Sequence, residues 1–291
     1  MFCSKQLNPT GPSLVKNTKH GVIHAGMYVA SAAHKAAWQS WFSKLSGLYL
    51  NQHYATVELG FSEDDLAYTN PNLVTAQTCG YPLVTRWAKT HEPIAVAVFD
   101  VPGCTSGPRQ INEVGQYSSW FITRADHPAN LLQQFRDTRV ALNSDSSNSG
   151  MNVLRYAISQ LALTESFFSD RLLTGGHKQS MSAVAEGRAD LAAIDVVTYA
   201  LINELEPEMC RQLKIIGQSE LTTGLPFICA KHSDLNHHEL CIAMNQAVEQ
   251  MDPKARKLLH LNGFSPVSIR DYAKIKQLEN DAVAAGYPTL K

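Results

Sequence analysis

The stretch NSDSSNSG, residues 143–150, puts four serines, two asparagines and an aspartate directly ahead of a helical pattern. Ser, Asp and Asn are the residues that cap helices, so a polar turn with one cap is the plain reading. One cap needs one residue, however. A helix start exposes unpaired N–H groups and partial positive charge, and serine hydroxyls placed there can surround an oxyanion. The helix itself is marked by an apolar stripe at Met151, Leu154, Ala157, Ile158 and Leu161. Gly150 permits close backbone approach, and the preceding RVALN is a β-run. The serine-rich stretch therefore sits at the carboxyl end of a strand, where open α/β sheets bind ligands.

A second junction repeats this chemistry. In RLLTGGHKQSMSAVAEGRADLAAID, Thr174, Gly175, Gly176 and His177 stand at a helix start, and the strand DLAAID ends in Asp195. A histidine at such a place is usually a capping or surface group. A carboxylate at the end of a buried strand needs a partner, because an unpaired one is costly to bury. Gln77, Cys79 and Tyr81 in QTCGYPL follow another strand and would face the same side, their alternative being an ordinary turn.

These residues need a scaffold, and the patterning supplies one. Strand-like runs (GVIHAGMY, VELGF, LVTAQT, IAVAVFD, YSSWFITR, DLAAID, PFICAK) alternate with helical ones, which predicts an α/β protein with mainly parallel sheets. In the first helix, over 31–46, Trp38, Trp41 and Phe42 are expected in the core. The pattern from Asp234 onward is almost purely helical.

Totals narrow the function. The 291 residues suffice for one large domain or two medium ones. The net charge of -1 and the lack of any Lys/Arg-rich run argue against nucleic acid as a partner. The longest apolar run, PIAVAVFDV, is far too short to span a bilayer. The opening MFCSKQLNPTGPS lacks the apolar core of a secretory leader, and Cys3 lacks the leader a lipid anchor requires. The chain is thus read as cytoplasmic or as a mature form. Six cysteines without a C-x-x-C pair permit disulfides but predict neither a zinc ribbon nor a redox motif. His237, His238 and Glu239 are adjacent on a helix and point different ways, so no metal is expected there. A cysteine enzyme with Cys79 or Cys104 as nucleophile and His177 as base is the sharper rival, but no third orienting group stands out.

Taken together, SNSG, TGGHKQSMSAVAEGRADLAAID, QTCGYPL, GMY and LPF resemble, in order, segments of the phosphate/phosphite/phosphonate-binding proteins of ABC importers. These are type-2 periplasmic binding proteins, and the resemblance covers about residues 21–290, with QTCGYPL typical of one branch. It implies two α/β lobes, 1–118 plus 226–291 and 119–225, joined by two crossover strands near Tyr117–Ile122 and Thr223–Ile228. It places Tyr28, Tyr117, Ser147, Asn148, Ser149, His177 and Asp195 in the cleft, with Gln77 and Tyr81 as additions from QTCGYPL. The middle of the anion loop is Asn148 where the family more usually has threonine. An oxidising compartment would suit a disulfide between Cys79 and Cys104. The implied role is a periplasmic, monomeric, non-enzymatic binder of a small phosphorus oxyanion, with an ABC permease as partner and no cofactor. A sensor of some other small ligand is the alternative.

Overall fold

The structure is a computed structural model, describing residues 19–62, 65–105, 115–161 and 166–290. Cys3 and the opening segment lie outside the described residues, as does most of the Gly/Pro/Ser-rich loop after Cys104.

The strands are β1 (His20–His24), β2 (Thr56–Gly60), β3 (Leu73–Gln77), β4 (His91–Phe99), β5 (Gln116–Tyr117), β6 (Ser119–Arg124) and β7 (Arg139–Leu142). They continue as β8 (Asp170–Leu173), β9 (Leu191–Asp195), β10 (Leu213–Gln218), β11 (Thr222–Thr223), β12 (Pro226–Ala230) and β13 (Leu261–Pro266). One sheet has six strands in the order β13-β4-β12-β3-β1-β2, and a second has five in the order β10-β6-β9-β7-β8. Inner strands covered on both faces need apolar residues at every position. β4 and β9 meet this need except at the buried Asp195 that ends β9: LAAID is buried throughout, as are the last seven residues of HEPIAVAVF.

Both sheets are mixed. The parallel pairing expected from alternation joins β1 to β2 and β3, and β7 to β8 and β9. β12 runs antiparallel beside β3 and β4, β13 beside β4, and β6 beside β9 and β10. The difference has a topological cause. The chain leaves the first sheet after β4 and returns through β12, so the strands at the passage points run against their neighbours. At the passage itself β5 pairs with β11, Tyr117 opposite Thr222.

Trp38 and Trp41 are fully buried, as expected, and Trp41 packs against Phe227 and Phe264 of β12 and β13. A second apolar cluster draws on both sheets, with Tyr81, Phe121, Leu154 and Tyr272 among its members. The C-terminal helix, Ala273–Ala284, packs on the helix Val153–Ser159 and so ties the chain end to the second sheet. Among the described residues no helix is long and apolar enough to cross a membrane.

Candidate functional site

Four strand ends converge. β1 is followed by Tyr28, β3 by Thr78 and Cys79, β7 by Asn143–Ser149, and β9 ends in Asp195. Between them lies a cavity of about 580 Å3, lined among others by Tyr28, Thr78, Cys79, Asn143, Ser147, Ser149, His177 and Asp195. This is the strand-end position at which α/β sheets take ligands.

The serine-rich loop supplies the helix cap expected of it. Ser147 caps the helix start, its Oγ accepting from Gly150 N at 2.9 Å. The first turn, Asn148–Asn152, is wound wide, Asn152 N donating to Ser147 O at 3.0 Å. A Cβ at Gly150 would lie 1.8 Å from Asn143 Oδ1, so any larger residue there would have to displace the Asn143 side chain. Ser149 is free to face the cavity, and its hydroxyl meets His177 Nε2 at 2.8 Å. The loop before His177 turns at Gly175, whose φ of 86° suits only glycine, and Gly175 N donates to Asn143 O at 3.1 Å. The two helix starts are thereby stitched into one wall.

His177 is neutral. Burial pulls its pKa down to about 4, the Ala193 carbonyl offsetting part of the drop. When its single proton sits on Nε2 the ring donates to Ser149 and leaves the serine hydrogen for a ligand oxygen; when it sits on Nδ1, Ser149 donates to Nε2 instead. Across the cavity, burial pushes Asp195 up to about 6, against the pull of three hydrogen bonds. Asp195 Oδ1 accepts from Val197 N at 2.8 Å and Thr198 N at 2.9 Å, capping the helix Val196–Leu205. Its Oδ2 accepts from Tyr28 OH at 2.9 Å. The partner a buried carboxylate demands is thus Tyr28, from the other sheet.

The other expected residues stand behind the wall and do not line the cavity. Asn148 is fully buried and turned to the passage between the sheets, donating from Nδ2 to Thr222 Oγ1 at 3.0 Å and to Tyr117 OH at 3.3 Å. Gln77 is buried, and neither of its amide atoms meets a partner among the described residues. Tyr81 turns away and donates to Glu279 Oε1 at 2.6 Å. Asn143, Thr78 and the cavity-mouth pair Asp65–Arg86 were missed. Asn143 and Thr78 had a signal, since each directly follows a strand run, but nothing in the sequence brings Asp65 to Arg86.

The expected disulfide is corrected: Cys79 and Cys104 are both free thiols. Cys79 Sγ accepts from Asn148 N at 3.3 Å, while Cys104 bridges Tyr117 through the backbone. Burial raises both thiols above their ordinary range, so neither is an activated nucleophile. Alkylation of the chain unfolded without reductant should label both cysteines, as read by peptide mass mapping. A linked Cys79–Cys104 peptide would contradict the geometry.

Two sheets with paired helix starts facing a shared cavity define a solute-binding protein. The chain belongs to the ABC transporter phosphonate periplasmic substrate-binding protein family, whose sequence profile matches residues 56–272. A search of curated protein sequences found no match. Among solved structures, a binding-protein component of an ABC phosphonate transporter from Pseudomonas aeruginosa superposes with a TM-score of 0.70 at 16% identity, covering 93% of this chain and 88% of that one. PhnD1 from Prochlorococcus marinus in complex with methylphosphonate gives 0.67 at 14%, covering 91% and 98%. SsuA from Xanthomonas axonopodis, an alkanesulfonate-binding protein bound to MOPS, gives 0.62 at 12%, covering 94% and 96%. The fold is the type-2 periplasmic binding protein fold, and the family's members are binding proteins, not enzymes. Family membership implies a small ligand and a permease partner.

Proposed function

We propose that this chain is a monomeric periplasmic binding protein that closes two lobes, 1–118 plus 226–291 and 119–225, on a small phosphorus oxyanion and presents it to an ABC permease. The ligand class is phosphonate, phosphite, phosphate or an ester. One observation carries the reading: Ser149 and His177, each at a helix start, share a hydrogen bond of 2.8 Å on the wall of a cavity that also holds Asp195 and Tyr28. Ser149 and helix N–H groups donate to the anion's oxygens, and His177 orients the Ser149 hydroxyl. Asp195 can only accept when ionised, and it selects a ligand that brings a proton, such as a P–OH. A sulfonate, fully ionised and without that proton, offers Asp195 nothing. Tyr117, Asn148, Gln77 and Tyr81 support the wall from behind.

The test is a thermal-shift and calorimetric screen of the dialysed protein against methylphosphonate, aminoethylphosphonate, phosphite, phosphate, phosphate esters and sulfate, with an alkanesulfonate as control. A phosphorus compound should raise Tm, and the sulfonate should not. Ser149→Ala should weaken binding about tenfold, or about 1.4 kcal/mol, for one lost charge-assisted bond. A flat screen on folded protein, or unchanged affinity in that variant, would overturn the reading.

A further inference from the structure

Outside the cavity lining, three metal-competent side chains meet: Glu92, and Cys229 with His237 eight residues after it. Cys229 on β12 and Glu92 on β4 are directly opposed cross-strand partners, so both side chains stand on one face of the sheet. His237 opens the helix His237–Glu249, which follows β12 after a short turn and folds back over that face. Its Nε2 lies 3.1 Å from Cys229 Sγ and 3.9 Å from Glu92 Oε1, and the three donor atoms all lie within 4.8 Å of one another.

We propose that Glu92, Cys229 and His237 form a binding site for a zinc-class divalent cation at the outer end of the six-stranded sheet. A tetrahedral zinc with bonds of about 2.0–2.3 Å sets its ligands about 3.5 Å apart, close to the spacing found. One sulfur, one imidazole nitrogen and one carboxylate oxygen is a donor set zinc accepts and the hard cations calcium and magnesium do not. The site has a closed floor and an open mouth: Cys229 is fully buried, while the His237 and Glu92 side chains are 30% and 38% exposed. Solvent supplies the fourth ligand. His238 and Glu239, the sequence neighbours that made a metal look implausible here, are exposed and take no part. On binding, the thiol–imidazole hydrogen bond gives way to Zn–S and Zn–N bonds and the thiol proton passes to solvent, with no change of oxidation state.

The ion would staple the β12-to-helix turn onto the sheet. None of the three side chains is among the residues that line the cavity. The inference therefore stands apart from the ligand assignment.

The experiment is calorimetric titration of zinc chloride into the chelator-treated full chain, with cobalt(II) as a spectroscopic substitute. One zinc per chain and a raised Tm are expected, together with a thiolate-to-cobalt charge-transfer band that Cys229→Ser abolishes. His237→Asn and Glu92→Gln alter part-exposed side chains, so the fold is expected to survive; far-UV circular dichroism checks this. Each should weaken zinc at least tenfold. Absence of zinc uptake, uptake unchanged in His237→Asn, or a cobalt spectrum without the thiolate band would each overturn the proposal.

Discussion

Replacing Arg155 by alanine should destabilise the protein by about 3 kcal/mol, read as a lower urea midpoint at unchanged slope. The guanidinium is buried at a three-way junction. Nη2 donates to Asn152 Oδ1 at 2.7 Å and to Tyr81 OH at 3.4 Å, and lies 3.7 Å from Glu279 Oε1; Nη1 donates to Pro288 O at 2.8 Å. Removing one member of a buried pair strands the other, which ordinarily costs about 3–5 kcal/mol. Glu279 keeps Lys276 and the Tyr81 hydroxyl, so the low end applies. The junction joins the helix of the second sheet, the QTCGYPL turn of the first and the C-terminal helix. Arg155→Lys should rescue little, because a single ammonium cannot reproduce a planar fork aimed at three elements. A loss below about 1 kcal/mol would show that the junction is satisfied without its cation.

This junction explains why Tyr81 misled the sequence reading. Its place after a strand, in a motif with Gln77 and Cys79, pointed to the cavity; its actual partners stand at positions 155 and 279. Asn148 shows the same limit. The family resemblance placed it among anion-binding residues, whereas its amide is committed to Tyr117 and Thr222 on the two passing strands. What local pattern could convey was conveyed: the buried runs of β4 and β9, the helix starts at Ser147 and His177, and the strand end at Asp195. The direction of a side chain is set by what packs against it from elsewhere in the chain. The free thiols of Cys79 and Cys104 and the cluster of Glu92 with Cys229 and His237 are contacts of that kind. No spacing rule reaches them, since their members come from strands, loops and a helix start brought together only by the fold.

The buried titratable pair should hide its own pH dependence. Asp195 is raised to about 6, so its contribution to stability is present below its unfolded value and is lost as pH rises through about 6. His177 is lowered to about 4, so its contribution is present above the unfolded value and is lost as pH falls towards about 4. Between these limits the native state carries one proton on Asp195 and none on His177. The unfolded chain carries one on the histidine and none on the aspartate. Equal proton counts mean no slope, although each shift alone is worth about 3 kcal/mol. Single variants should expose the two halves. His177→Gln leaves Asp195 alone, and stability should then fall by about 3 kcal/mol from pH 4 to 6, relative to the unmodified chain. Asp195→Asn keeps a capping oxygen, and stability should instead rise by about as much from pH 4 to 6.5. Urea unfolding across that range measures both, and curves parallel to the parent would mean that neither group is perturbed. The compensation bears on binding. A site with a neutral imidazole and a carboxyl poised near 6 carries little fixed charge, so a ligand that shares one proton with Asp195 while its oxygens face Ser149 meets both halves at once.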